Sequence, residues 1–225
     1  MTQPLLDNHL RLILATGNPG KCAEFQALFN GLQIELAAQS EYAVPECPEP
    51  HCTFVENALA KARHASAHTA LPALADDSGL CVQALAGEPG VWSARYAQPA
   101  EGSATDRATQ DALNNAKLLS ELNGCADRRA HFVCVLAAVR RPDDPEPLIA
   151  HGWLHGRIAT RLEGTGGFGY DPLFMLNEGG ATLAQLLAED KNRVSHRARA
   201  AGQMAQLLQA FWGVQQRPGA NSMRP

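Results

Sequence analysis

A short apolar run, Arg11-Leu-Ile-Leu-Ala15, gives way to the turn-forming Thr16-Gly-Asn-Pro-Gly20 and then to residues 21–29, where Phe25, Leu28 and Phe29 recur on one side of a helix. The hydrophobic period switches within a few residues from that of a buried strand to that of a helix. A chain that opens strand, loop, helix is committed early to an α/β arrangement. Residues 34–37 read as a second short strand and the proline-rich residues 44–50 as a loop. Thr53-Phe-Val-Glu56 then has capping-box spacing, and an alanine-rich helix continues to Ala70 with Lys61 projecting from it.

Residues 71–75 and 80–85 read as strands on either side of Asp76-Asp77-Ser78-Gly79, which places two adjacent carboxylates in a tight turn at a strand end. Residues 104–122 have a helical pattern, residues 131–139 form the longest β-like run, and residues 148–158 are expected to pair with it across a polar turn. A glycine-rich loop at 164–169 precedes residues 170–175, and two helices, 182–189 and 195–212, follow. Nothing in this pattern marks a linker or a repeat, so residues 1–213 are expected to form one α/β domain with a mixed sheet flanked by helices. Residues 214–225, rich in Pro, Gln and Asn, are expected to be a disordered tail.

Composition narrows the classes of function. A formal net charge of −4 offers no general attraction for a nucleic-acid backbone, so a phosphate must be met by a local site. With 45% hydrophobic and 19% charged residues, the chain belongs with globular proteins that fold unaided. The apolar run at residues 10–15, broken by Arg11, is too short for a membrane span and lacks a signal-peptide layout, so a cytoplasmic location is expected. Of the six cysteines, Cys81 and Cys134 fall in apolar stretches as packed thiols do. Cys47, His51 and Cys52 have no second Cys/His pair at zinc-site spacing, so no structural zinc is expected.

Three segments carry chemistry. Gly17-Asn18-Pro19-Gly20-Lys21 lies between strand and helix, where backbone N–H groups and the helix dipole favour an anion and Lys21 adds a full charge. It is no Walker A loop, because Ala15 stands where glycine is needed and Cys22 where Ser or Thr would hold magnesium. An ordinary loop with a lysine near a helix start is the bland alternative. Residues 164–169 spell G-x-G-x-x-G, but Tyr170-Asp171-Pro172 follows where a dinucleotide fold would open a helix. Phe168, bracketed by glycines, either presents its face to a flat ligand or packs in the core.

Asp76 and Asp77 are the third segment. Phosphoanhydride hydrolysis needs neutralised phosphate charge, an activated water and a stabilised leaving group, and Mg²⁺ held by one or two carboxylates contributes to all three. Two close carboxylates are tolerable when a metal sits between them or when one has a shifted pKa and acts as a base. They also serve simply as turn residues. Glu46 and Glu49, in the loop ahead of Thr53, offer a further ligand.

Taken together these segments resemble the inosine triphosphate pyrophosphatase family, whose members cleave non-standard purine nucleoside triphosphates. The resemblance rests on Ala15-Thr-Gly-Asn-Pro-Gly-Lys21 with Glu24, on Thr53-Phe-Val-Glu-Asn-Ala58 with Lys61, and on Ala75-Asp-Asp-Ser-Gly-Leu80 with Pro89-Gly90 and Ser93-Ala-Arg-Tyr-Ala97. It continues through Gly166-Gly-Phe-Gly-Tyr-Asp-Pro172 and Lys191 to Ser195-His-Arg197. The resemblance implies an elongated mixed sheet with two lobes around a central active-site cleft, and a homodimer. It further implies that Thr16, Gly17, Asn18, Pro19, Gly20 and Lys21 bind the triphosphate with help from Lys61. Asp77 would be the general base, Glu49 and Asp77 the magnesium ligands with Asp76 close by, and Glu46 an alternative to Glu49. Phe168, Gly169, Tyr170, Asp171, Lys191, His196 and Arg197 would bind the nucleoside, and Ser78 would also contact the substrate.

The reaction so implied is attack of an activated water on the α-phosphorus of ITP, dITP or XTP, with pyrophosphate leaving. A donor from Arg197 or His196 to the 6-keto oxygen would reject adenine, whose 6-amino group leaves that donor unpaired. Guanine shares the 6-keto group, so its rejection rests on the 2-position. A pyrophosphatase for a modified pyrimidine nucleotide and an idle nucleotide sensor are the competing readings, and a mere binder has no need of a paired-carboxylate site.

Overall fold

A computed structural model describes residues 10–99, 106–176 and 180–218. Its elements follow in the order β1 (Leu10–Leu14), α1 (Pro19–Leu28), β2 (Ile34–Ala38), α2 (Phe54–Thr69), β3 (Ala73–Val82), α3 (Arg107–Glu121), β4 (Arg129–Val139), β5 (Leu148–Ile158), β6 (Phe174–Leu176), α4 (Ala188–Val194) and α5 (His196–Trp212). The strands form one six-stranded sheet in the order β2-β1-β3-β4-β5-β6. β1 runs parallel to both β2 and β3, whereas β5 and β6 are antiparallel, so the sheet is mixed and the fold α/β. β5 alternates buried and more open positions along its whole length, with Leu148, Ala150, Leu154 and Ile158 inward, the period of two that a sheet dictates.

The chain divides into two compact units, one drawn from residues 1–77, 135–151 and 198–225 and the other from residues 78–134 and 152–197. In the first, the all-apolar Leu12, Ile13 and Leu14 of β1 and Leu74 of β3 are fully buried with Phe25 and Phe29. α2 packs on β1 and buries a stripe of small side chains, Ala58, Ala62 and Ala65, so that the helix approaches closely. In the second unit, Leu80, Val82, Leu118, Leu122, Phe132, Ile158, Tyr170 and Phe174 belong to one hydrophobic core. Helix starts follow local chemistry: Asn18, Thr53 and Asp106 cap α1, α2 and α3, each accepting backbone N–H groups of the first turn.

Four expectations are corrected. α1 begins at Pro19, two residues early, because Asn18 caps it and proline suits the first helical position. β3 is continuous from Ala73 to Val82, so Asp76 and Asp77 lie inside a strand and in no turn. Residues 182–189 are not one helix. Leu183–Gln185 form a single 3-10 turn whose Leu183 and Ala184 are buried, and the Ala184 backbone is engaged by Gly166 N–H and the Asp171 carbonyl. Finally, residues 214–217 are tied down: Gln33 N–H donates to the Gln215 carbonyl at 2.8 Å and Arg217 N–H to that of Gly31 at 2.8 Å. The Arg217 guanidinium also donates to the carbonyls of Leu32 and Ile34, at 2.9 and 3.2 Å. Residues 219–225 lie outside the described residues.

These contacts generate a prediction. Truncation after Gly213 removes the hydrogen bonds of Gln215 and Arg217 and the buried Val214. At about 0.5–1.5 kcal/mol per bond, a loss of about 2 kcal/mol is expected. In a chain of this size that lowers the melting midpoint by roughly 4–8 °C, measured by circular dichroism. An unchanged midpoint would show the segment to be dispensable.

Candidate active site

In the first unit, α1, α2, β3 and the loop ahead of α2 bring charged side chains together. Asn57 and Lys61 stand four residues apart on α2 and so share a face. Both reach Asp77: Lys61 Nζ lies 3.0 Å from Oδ1, and Asn57 Nδ2 donates to Oδ2 at 3.3 Å. Lys61 Nζ also meets Glu49 Oε1 at 2.7 Å. Lys21, in the first turn of α1, donates to Asp76 Oδ2 at 2.6 Å. Asn57 ties the loop down as well, accepting from His51 N–H at 3.1 Å and donating to the His51 carbonyl at 3.2 Å. Glu46 is exposed and makes no hydrogen bond or ion pair among the described residues, so the geometry brings in Glu49 and not Glu46.

Asp76 is 1% exposed and Asp77 7%, which makes pairing obligatory, since stripping one partner from a buried ion pair costs about 3–5 kcal/mol. Burial is the largest influence on Asp77 and raises its pKa; Lys61 works against it, Glu49 with it, and the net shift is upward. Burial opposes the charge on Lys61, but Asp76, Asp77 and Glu49 outweigh it and hold the ammonium above its ordinary value. Asp77 is thus a carboxylate with a higher than usual affinity for a proton, held in place by two donors. Such a group suits a general base.

The loop before α1 is braced by its own side chains. Asn18 Oδ1 accepts from Gly20 N–H at 2.9 Å and Lys21 N–H at 3.3 Å, and Thr16 Oγ1 accepts from Asn18 N–H at 3.2 Å. Pro19 has no N–H to offer, and Gly17 and Gly20 are exposed. The side chains of Thr16 and Asn18 therefore hold the N–H groups of Asn18, Gly20 and Lys21, and Lys21 supplies its positive charge.

In the second unit, a separate cluster surrounds Phe168. Asp171 Oδ2 accepts both from Phe168 N–H at 2.9 Å and from Lys191 Nζ at 2.8 Å. Gly167, at φ +74°, is required here, because a Cβ at that position would run into the Asp171 carboxylate. Phe168 is half-buried, with the Lys191 ammonium 4.7 Å and the Arg197 guanidinium 5.0 Å from its ring centre. Arg197 also donates to Ser78 Oγ at 3.4 Å. The His196 ring is buried and stacked on Phe132 at 4.7 Å, and the Tyr170 ring belongs to the hydrophobic core with its hydroxyl donating to the Ser93 carbonyl at 2.9 Å. Gly169 is held by α3, its N–H donating to Asp111 and its carbonyl accepting from Asn115. Sequence reasoning assigned no role to Asn57, Asp111 or Asn115. Asn57 lies within the motif of residues 53–58, and polar residues within a helical pattern are the signal for the other two.

All six cysteines are thiols, and among the described residues no three His, Cys, Asp or Glu side chains form a metal-holding group. Residues 12–207 match the model of the Ham1 family. The chain is 56% identical over 201 residues to a dITP/XTP pyrophosphatase of Ralstonia nicotianae, covering 89% of this chain and 98% of that protein. It is 57% identical over 211 residues to a dITP/XTP pyrophosphatase of Bordetella pertussis, covering 93% and 97%. Among solved structures it resembles a HAM1 protein from Coxiella burnetii with a TM-score of 0.80 and 44% identity, over 89% of this chain and 99% of that one.

The Asp77 environment is open to direct measurement. Carboxyl NMR titration of the metal-free protein is expected to put the Asp77 midpoint above 3.8 and, because Lys61 is what lowers it, higher still in Lys61→Met. The folded value then exceeds the unfolded one, so the stability Asp77 contributes is present at low pH and lost as pH rises through the folded value. A midpoint at or below 3.8 in the parent would contradict this account of the site.

Proposed function

The chain belongs to the Ham1 family, and we propose that it is a nucleoside triphosphate pyrophosphatase that converts ITP, dITP and XTP to the monophosphate and intact pyrophosphate. The observation that carries the reading is Asp77, a buried carboxylate of raised pKa fixed by Lys61 and Asn57, in a chain more than half identical to dITP/XTP pyrophosphatases. Asp77 takes a proton from a water as that water attacks the α-phosphorus. Lys21 and Lys61 offset the charge of the departing pyrophosphate. Removal of deaminated purines from the nucleotide pool is the purpose this activity serves.

Magnesium is part of the proposal. Glu49 and Asp77 already converge on one cation, the Lys61 ammonium, and supply the hard oxygens that Mg²⁺ prefers. With Asp76 near, they would hold the ion, which would neutralise phosphate charge. Phe168 stacks on the base, and Arg197 or His196 donates to the 6-keto oxygen, with Ser78, Asp171 and Lys191 fixing their surroundings. A site built to donate there rejects a 6-amino purine by roughly 10⁴–10⁵, because the buried donor is left unpaired. The family resemblance also brings a homodimer and a cytoplasmic location into the proposal. Among the described residues no helix is long and apolar enough to cross a membrane.

Product identity tests the reading. Purified protein with Mg²⁺ is offered ITP, XTP, dITP, GTP, ATP and dUTP, with pyrophosphate and orthophosphate assayed separately. Pyrophosphate from the first three and little from the others is expected; orthophosphate, or indifference to the base, would sink the assignment. A modified-pyrimidine enzyme would show itself on dUTP. Asp77→Asn should slow pyrophosphate release by about 10²–10⁴-fold with an unchanged circular dichroism spectrum, and full activity would remove Asp77 as the base.

A further inference from the structure

One helix grips a single residue of the Phe168 loop through both of its backbone polar groups. Gly169 N–H donates to Asp111 Oδ2 at 2.8 Å, and the Gly169 carbonyl accepts from Asn115 Nδ2 at 2.9 Å. Asp111 and Asn115 lie four residues apart on α3 and therefore share one face. Arg107, one turn earlier, pairs with Asp111 Oδ1 at 3.3 Å and places its guanidinium 5.9 Å from the Phe168 ring centre. The grip falls on a residue at φ +63°, in the left-handed region, next to a second glycine-mediated reversal at Gly167. Held on one side only, a glycine leaves the peptide on its other side free to rotate about its Cα and to shift the neighbouring ring.

Packing alone does not account for Asn115. The residue is 5% exposed, and its Oδ1 is buried without a hydrogen-bond partner among the described residues. An apolar side chain would avoid that penalty. What only the amide supplies is its single bond to the Gly169 carbonyl. The opposite amide orientation would set two oxygens against each other, so the assignment follows from the network. Its neighbour Asn114 faces elsewhere, bonding to Ser93, Ala94 and Ala97.

We infer that Asp111 and Asn115 are positioning residues for base recognition: together they fix the backbone on both sides of Gly169 and so the Phe168 ring against which the purine stacks. The inference rests on the base-binding reading of Phe168 given above. Neither residue touches the substrate. Their effect is exerted through the loop, and it falls on base recognition while leaving the phosphate chemistry alone.

The test compares KM for dITP and XTP with the inhibition constant of inorganic tripolyphosphate, which has no base, in Asp111→Ala, Asn115→Ala, Asp111→Asn and Phe168→Ala. The two alanine variants at 111 and 115 should raise both KM values about tenfold, equivalent to about 1.4 kcal/mol. Tripolyphosphate inhibition should stay within about twofold, since 1 kcal/mol would already exceed that. Asp111→Asn, which keeps an acceptor for Gly169 N–H, should restore parental KM. Equal losses for nucleotide and tripolyphosphate would mean general disorder and overturn the inference, as would failure of both alanine variants to fold; if only Asp111→Ala fails, Asn115→Ala decides. Unchanged KM in both, with Phe168→Ala still impaired, would overturn the positioning role and leave the base pocket standing. No effect of Phe168→Ala would remove the base pocket, and the inference with it.

Discussion

Three acidic side chains keep their place in the first unit because one ammonium serves them. Lys61 touches Glu49 and Asp77 and feels the charge of Asp76, while Lys21 pairs with Asp76 directly. A buried charge that loses its partner either protonates or opens the structure to water. The rest of the arrangement follows from keeping Lys61 where it is. α2 must lie close, which its alanine stripe allows, and the proline-rich loop must come near enough for Glu49 to reach, which Asn57 secures through the His51 backbone. The same ammonium keeps Asp77 from becoming too basic: burial alone would push its pKa upward unchecked.

The second unit uses one carboxylate oxygen in a comparable way. Asp171 Oδ2 accepts from a backbone N–H and from an ammonium, so the charge that balances Lys191 also sets the Phe168 backbone. The aromatic ring is therefore located by polar bonds to its peptide neighbours, with only part of its surface buried. That is how a loop holds an apolar group accessible without surrendering its position.

Much of this was legible in the chain. β5 begins and ends where its alternation does, and β1 and β2 stand out as apolar runs bounded by turn residues. The charged members of both clusters were visible as residue types in motifs. What escaped was decided by partners distant in sequence. Asp76-Asp77-Ser78-Gly79 has the composition of a turn, yet Lys21 and Lys61, 55 and 16 residues upstream, make a strand tenable there. Leu183 and Ala184 carry a helical pattern, but the Ala184 backbone is claimed by Gly166 and Asp171. Asn115 stands out only as a polar residue within a helical pattern; its role lies in a bond to a loop 54 residues away.

The final described stretch of chain bears on how the molecule meets its own copies in a crowded solution. β2 is the last strand on its side of the sheet, and such a border offers unpaired backbone groups to any extended chain that drifts past. Residues 215–217 lie against the approach to that strand, and the Arg217 guanidinium takes the carbonyls of Leu32 and Ile34 while Pro218 follows with no N–H to extend a ladder. A terminus with the composition of a loose end thus acts as a hem, closing the start of an edge along which sheets of neighbouring molecules would otherwise join.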